Sequence, residues 1–237
     1  MEQDLVVNEI FGPTVQGEGR SMGRRCAFLR LGGCNLSCSW CDTPYTWDWT
    51  GTSDSGIAHD PRTELHRRSV GDVLAALLAF GTDLVVISGG EPLGQQERLV
   101  PLVAALTAHG KEIEIETNGT HAALPELVDA GVRFNVSPKL SHSGDPLNRR
   151  IVPDALTSLS ALPNSTFKFV CQNRRDLDEV AELVDLYGLA SVWIMPIGRT
   201  ADDVTKHMGE LADAVVERGW NLTTRLHTLL WDDTRGV

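Results

Sequence analysis

Three of the five cysteines in this 237-residue chain fall within the eight residues "CNLSCSWC", at Cys34, Cys38 and Cys41. Thiolates in such a loop suit zinc or an iron–sulfur cluster. A disulfide uses two sulfurs, and a closed zinc site uses four ligands. Cys171 lies far along the chain and no second cysteine pair exists, so Asp42 or a histidine would have to complete a zinc site. A four-iron cluster held by three cysteines leaves one iron open to a substrate or cofactor, which accounts for the incomplete set. Buried, reduced thiols without metal are the plain alternative. Cys26 and Cys171 read as small apolar core residues.

Such a loop needs a scaffold, and the sequence supplies a βα rhythm. "CAFLRL", "DLVVIS", "EIEIE", "VRFNVS", "STFKFV", "SVWIMP" and "NLTTRL" read as strands. Between them, "SVGDVLAALLAF", "QQERLVPLVAALTAHG", "LPELVDAG", "DLDEVAELVDLYG" and the stretch around "VTKHMGELADAVVERG" have helical spacing. Ser69 is placed to cap the first helix and Gly110 to end the second. The alternation predicts one α/β domain, residues 1–237, around a parallel sheet that is either open or curled into a barrel. "GGEP", "TNG", "SPK" and "MPIG" each follow a strand, at the sheet edge where α/β proteins build sites. Two polar stretches, 44–68 and 139–154, break the rhythm, and Trp47 and Trp49 in the first either cover a site or cap a core.

Composition narrows the function classes. The net charge of −11 argues against a tight, nonspecific grip on nucleic acid. The start, "MEQDLVVNEI", has no apolar segment of a signal peptide, and no apolar run approaches the ~20 residues that span a bilayer. The expectation is a cytoplasmic protein, without a disulfide scaffold, that binds neither membrane nor nucleic acid.

The cysteine motif resembles that of the radical S-adenosylmethionine (radical SAM) superfamily, with Trp40 in the aromatic place before the last cysteine. "GGEP" (89–92) resembles its second signature, which lines the methionine end of the cofactor. Further blocks resemble the 7-carboxy-7-deazaguanine synthase family: "TVQGEG" (14–19), "FLRLGGCN" (28–35), "CDT" (41–43), "ISGGEP" (87–92), "ETNGT" (116–120), "SPK" (137–139) and the tail "LHTLLWDDTRGV". This resemblance implies a modified, incomplete (β/α) barrel of the radical SAM type, commonly a homodimer. It implies a [4Fe-4S] cluster, S-adenosyl-L-methionine, Mg2+ and an electron donor such as flavodoxin or ferredoxin. The implied reaction is ring contraction of 6-carboxy-5,6,7,8-tetrahydropterin to 7-carboxy-7-deazaguanine with loss of ammonia, a step toward 7-deazapurines such as queuosine.

The resemblance also implies roles for residues. Cys34, Cys38 and Cys41 would hold the cluster. Trp40, Cys41, Asp42, Gly90, Ser137, Pro138, Lys139, Met195, Pro196, Ile197 and Gly198 would contact S-adenosylmethionine. Val15, Gln16, Gly17, Glu18, Ser88, His227 and the Val237 carboxylate would contact substrate, with Arg30 on the substrate carboxylate and Thr43 on magnesium. Taken singly, each of these motifs is an ordinary turn, strand residue or terminus. The family varies in cysteine spacing, some members carrying a long insertion within the motif. This chain has the short form, with extra length after it, so 44–68 is poorly covered by the resemblance.

Two other classes compete. A radical-activating enzyme for a partner protein would share the cysteines and "GGEP" but has no use for "TVQGEG", Thr43 or the tail. A ferredoxin-like carrier or zinc module would not need a βα chain of this length.

Overall fold

The computed structural model describes residues 4–237. Its elements are β1 (Leu5–Val15), β2 (Arg25–Leu31), α1 (Pro61–Glu64), β3 (His66–Arg68), α2 (Val70–Ala79), β4 (Leu84–Gly89), α3 (Gln96–Ala108), β5 (Glu112–Thr117), α4 (Pro125–Asp129), β6 (Arg133–Val136), α5 (Leu147–Arg150), α6 (Pro153–Ser160), β7 (Ser165–Cys171), α7 (Asp176–Tyr187), β8 (Val192–Pro196), α8 (Ala201–Glu217), β9 (Asn221–Leu222) and α9 (Leu226–Trp231). The strands form one open sheet in the order β3-β1-β2-β4-β5-β6-β7-β8-β9. From β2 to β9 every neighbouring pair is parallel. β1 runs antiparallel to both β2 and β3. This is a sheet of the incomplete-barrel kind, not a closed barrel.

The alternation of side chains explains why only one face is covered by helices. Ala27, Leu29 and Leu31 of β2, Ile113 and Ile115 of β5, and Phe167 and Phe169 of β7 all join one large buried cluster. Leu77 of α2, Leu102 of α3, Val180 of α7 and Leu211 of α8 pack into the same cluster. Each such side chain taken from water contributes about 1.5–3 kcal/mol. The intervening residues face the other way. Near β1, Phe11, Cys26, Phe28, Leu84 and Val86 make a small second cluster. Farther along, the sequence places Glu114, Glu116, Asn135, Thr166 and Lys168 there instead, all buried except the half-buried Glu116. A parallel sheet with both faces buried reads as continuous apolar runs. Here one face is apolar and the other carries charges that require partners.

Local signals behave as their chemistry predicts. Ser69 Oγ accepts from the Asp72 amide at 3.1 Å, and α3 tolerates Pro101 before the chain turns at Gly110 with φ +70°. Three expectations need correction. β1 was not visible in the sequence, because bulges near Asn8 and Gly12 break its alternation. The stretches that read as irregular hold elements, α1 and β3 in 44–68, and α5 and the start of α6 in 139–154. "NLTTRL" is not one strand: after Leu222 the chain leaves the sheet, and Leu226 already opens α9. The reason is tertiary, because Arg225 is drawn into an ion network described below.

Candidate functional site

The cysteine loop leaves β2 at the C-terminal edge of the sheet, beside the end of β4. Gly90 permits that approach: a Cβ on it would fall on the Gly33 carbonyl. The Gly90 amide donates to Leu31 O at 3.0 Å and the Glu91 amide to Gly33 O at 2.8 Å. Glu91 does not face the cavity beyond. Its buried carboxylate accepts from the Leu93 amide (2.9 Å), the Asn118 amide (2.7 Å) and Thr117 Oγ1 (2.7 Å). "GGEP" thus ties the ends of β2, β4 and β5 together. Burial pushes the Glu91 carboxyl up, against those three donors.

These ends surround a cavity of about 800 Å³. Its wall includes Cys34, Cys38, Cys41, Trp40, Asp42, Thr43, Gly90, Ser137, Lys139, Met195, Ile197 and Gly198. Val15, Gln16, Gly17, Glu18, Arg30, Ser88, His227 and Val237 line the same cavity. Pro138 and Pro196 do not; both are buried behind the wall. Residues separated by most of the chain therefore meet in one place.

The donor set fits a cluster. Burial pushes the Cys34 thiol up to about 12 and raises those of Cys38 and Cys41, so the sulfurs become thiolates only with a compensating cation. Three N–H groups already point at sulfur, Leu36 N at 3.5 Å and Asn118 Nδ2 at 4.0 Å from Cys34, and Trp47 Nε1 at 3.3 Å from Cys41. Among the described residues no three His, Cys, Asp or Glu side chains converge on a single-ion site. Trp40 Nε1 is buried without a hydrogen-bond partner, and the Trp40 ring sits 5.8 Å from Lys139 Nζ and 5.5 Å from the His142 ring.

Opposite the cysteines the wall is ionic. Glu18 pairs with Lys168 from the middle of β7 and with Arg225 Nε at 3.3 Å. Burial raises the Glu18 carboxyl, but Lys168, Arg225 and His227 outweigh it and hold the group well below its ordinary range. Arg225 also donates to Gly198 O at 2.5 Å and pairs with Asp42. Asp42 responds as Glu18 does, burial raising it and Arg225 lowering it further. Gly17 lets this loop close on the tail: a Cβ there would fall on the His227 ring, and Leu226 N donates to Gly17 O at 2.8 Å. Burial in turn lowers the His227 imidazole.

On the floor, Gln16 Nε2 donates to Glu114 and Glu116, each at 3.0 Å, and Ser88 Oγ donates to Glu116 at 2.7 Å. Arg30 Nε donates to Glu9 at 2.6 Å, with its guanidinium 5.4 Å from the Phe11 ring and 5.8 Å from the Tyr45 ring. Arg235 reaches back from the tail, 3.9 Å over the Tyr45 ring, and pairs with Glu9 and Glu64.

Sequence reasoning missed Lys168, Arg225, Glu116 and Arg235. Lys168 had a signal, a lysine inside the apolar run "STFKFV". Glu114 and Glu116 had one in the alternation of "EIEIE". Arg225 had none, because it lies in a stretch that reads as strand.

An open, one-side-covered sheet with a three-cysteine loop at its C-terminal edge defines a radical SAM enzyme, and residues 29–158 match the Radical SAM superfamily. Such proteins carry a [4Fe-4S] cluster and S-adenosylmethionine. The chain is 36% identical over 234 residues to the 7-carboxy-7-deazaguanine synthase of Pyrobaculum aerophilum, covering 97% of this chain and 96% of that one. It is 32% identical to the enzyme of that name in Bacillus subtilis, over the full length of both. The crystal structure of QueE from Escherichia coli superposes with a TM-score of 0.70 at 27% identity, over 94% of this chain and 95% of that one. The chain belongs to the 7-carboxy-7-deazaguanine synthase family. SuiB of Streptococcus suis, at 14% identity and TM-score 0.56, shares the fold alone.

Proposed function

We propose that this chain, acting as one radical SAM core with substrate-binding segments at both ends, contracts the ring of 6-carboxy-5,6,7,8-tetrahydropterin to give 7-carboxy-7-deazaguanine and ammonia. The observation that carries this reading is the single cavity: cluster cysteines form one side, and "TVQGEG", Arg30, Ser88 and the tail form the other. The cluster and S-adenosylmethionine, when bound, would supply radical chemistry for hydrogen abstraction in this cavity. Everything else falls to this chain's own residues.

Cys34, Cys38 and Cys41 hold the cluster. Trp40 and the 195–198 loop flank the nucleoside, with Ser137 and Lys139 beside it. Lys139 Nζ is itself steadied by Ser137 O and Oγ, both at 3.0 Å. Arg30 receives the substrate carboxylate, since its planar fork matches two oxygens and the Phe11 and Tyr45 rings fix its plane. Gln16, Glu18, Ser88 and His227 address the pterin edge, and the Val237 carboxylate closes the site. Thr43 supplies magnesium with one oxygen, and water and substrate complete its shell, as this cation prefers.

The tail residues 232–237 line the cavity, and a partner-protein loop would have to displace them, which favours a small substrate over radical activation of another protein. The same reading includes flavodoxin or ferredoxin as electron donor, a homodimer and a cytoplasmic setting. The test is anaerobic incubation of cluster-loaded protein with S-adenosylmethionine, reductant, magnesium and the carboxy-tetrahydropterin. A deazapurine product is expected; its absence from loaded protein sinks the reading.

A further inference from the structure

The stretch 44–68, which neither motif nor family pattern explains, is stitched to the cluster loop at two points. Gly33 N, just before Cys34, donates to Thr46 O at 2.8 Å. Asp54 N donates to Ser39 O, between Cys38 and Cys41, at 2.7 Å. Between those anchors the backbone is tightly determined. Trp47 N and Asp48 N both donate to Pro44 O, at 3.0 and 2.7 Å. The Asp48 carboxylate then accepts from the amides of Gly51 (2.8 Å), Thr52 (3.0 Å) and Ser53 (2.7 Å). Asp48 is 1% exposed, so the turn folds around a buried carboxylate although Thr50, Thr52 and Asp54 reach the surface.

Among the side chains this segment brings to the cavity, Tyr45 beside Arg30 included, Trp47 is the one that reaches a cysteine sulfur. Trp47 Nε1 donates to Cys41 Sγ at 3.3 Å. The three sulfurs are not alike in this respect. Cys34 has the Leu36 amide at 3.5 Å and Asn118 Nδ2 at 4.0 Å. Cys41 has the indole N–H, with Thr43 Oγ1 at 3.7 Å. Hydrogen bonds to cluster sulfurs are among the levers that set a cluster's reduction potential. A donor withdraws electron density from the thiolate, weakens its donation to iron and stabilises the more negative, reduced state.

We propose that Trp47 is a positioning and tuning residue, whose indole N–H bond to Cys41 raises the potential at which the cluster accepts its electron, and that this is one thing the 44–68 segment provides. The proposal rests on the cluster reading above. One electron enters from the external donor, and no further reagent is required.

The test is an anaerobic, EPR-monitored redox titration of reconstituted wild type and Trp47→Phe, each first assayed for iron and sulfide. Phenylalanine keeps an aromatic ring and removes the N–H. With both proteins loaded, the midpoint of Trp47→Phe should move to more negative potential. The reduced-to-oxidised ratio at a fixed potential should fall about threefold to tenfold, tenfold being about 59 mV for one electron. Trp47→His, which keeps a ring N–H donor, should recover part of the shift. An unchanged midpoint in loaded Trp47→Phe overturns the inference and leaves the cluster reading standing. If wild type itself holds no four-iron cluster, both fall. If Trp47→Phe cannot hold a cluster, 15N-tryptophan labelling of a Trp40→Phe background decides. A 15N coupling to the reduced cluster supports the bond, and none overturns it.

Discussion

Glu18 and Lys168, 150 residues apart in sequence, form a buried ion pair between the N-terminal loop and the middle of β7. Lysine at the centre of a strand in a parallel sheet is costly to bury unless paired. Here Lys168 is 4% exposed. The pair therefore fixes where "TVQGEG" sits over the sheet, and with it the substrate side of the cavity.

Glu18→Gln should lower stability at pH 7 by about 3–5 kcal/mol, since Lys168 loses its ion-pair partner while buried and Arg225 keeps only Asp42. The native carboxyl is held below its ordinary value of 4.5. Its contribution is then fully present above pH 4.5 and is lost as the pH falls below that value. The gap between wild type and Glu18→Gln should narrow in the same range. Urea unfolding of the metal-free protein at pH 7 and at acid pH measures both.

Arg225 holds Glu18, Asp42 and the Gly198 carbonyl together. Arg225→Lys keeps the charge but not the fork that reaches three partners. A displacement of about 1 Å at the reacting centre costs roughly 10²-fold. kcat/KM should fall on that order while iron content stays at the wild-type level. Retained kcat/KM would show that the three loops hold their places without it.

Gly90→Ala places a methyl against the Gly33 carbonyl, and backbone cannot yield as a flexible side chain does. The cysteine loop must move away from β4. Iron per chain after reconstitution should drop well below wild type, whereas Gly94→Ala, which meets nothing within 4 Å, should load normally.

Thr43→Ala should weaken the dependence of turnover on magnesium without altering iron content. Loss of the cluster instead would place Thr43 in support of Cys41, whose sulfur lies 3.7 Å from the Thr43 hydroxyl. A magnesium titration of turnover, beside iron assay, separates the two.

Much of the chemistry was legible because it depends on short-range spacing. Three cysteines in eight residues, glycines at a strand end and the βα rhythm are local facts, and each implies its geometry through chain stiffness alone. β1 was not legible because its bulges destroy the period that marks a strand. α9 was not, because what ends β9 at Leu222 is a long-range pull on Arg225. Glu91 looked like part of a cofactor wall and proves to be a brace between β4 and β5.

By itself, then, the sequence determined the kind of cofactor loop, the strand ends that carry the motifs, and which residues are candidates, since residue type and spacing suffice for these. The tertiary structure decided which charges face one another. Lys168 and Glu116 reach the site only because the sheet leaves one face uncovered and turns its polar side inward, and Arg225 because the chain leaves the sheet after Leu222. The fold also decided the use of 44–68: the turn capped by Asp48 is short-range, but that it brings an indole N–H to Cys41 depends on hydrogen bonds to both arms of the cysteine loop.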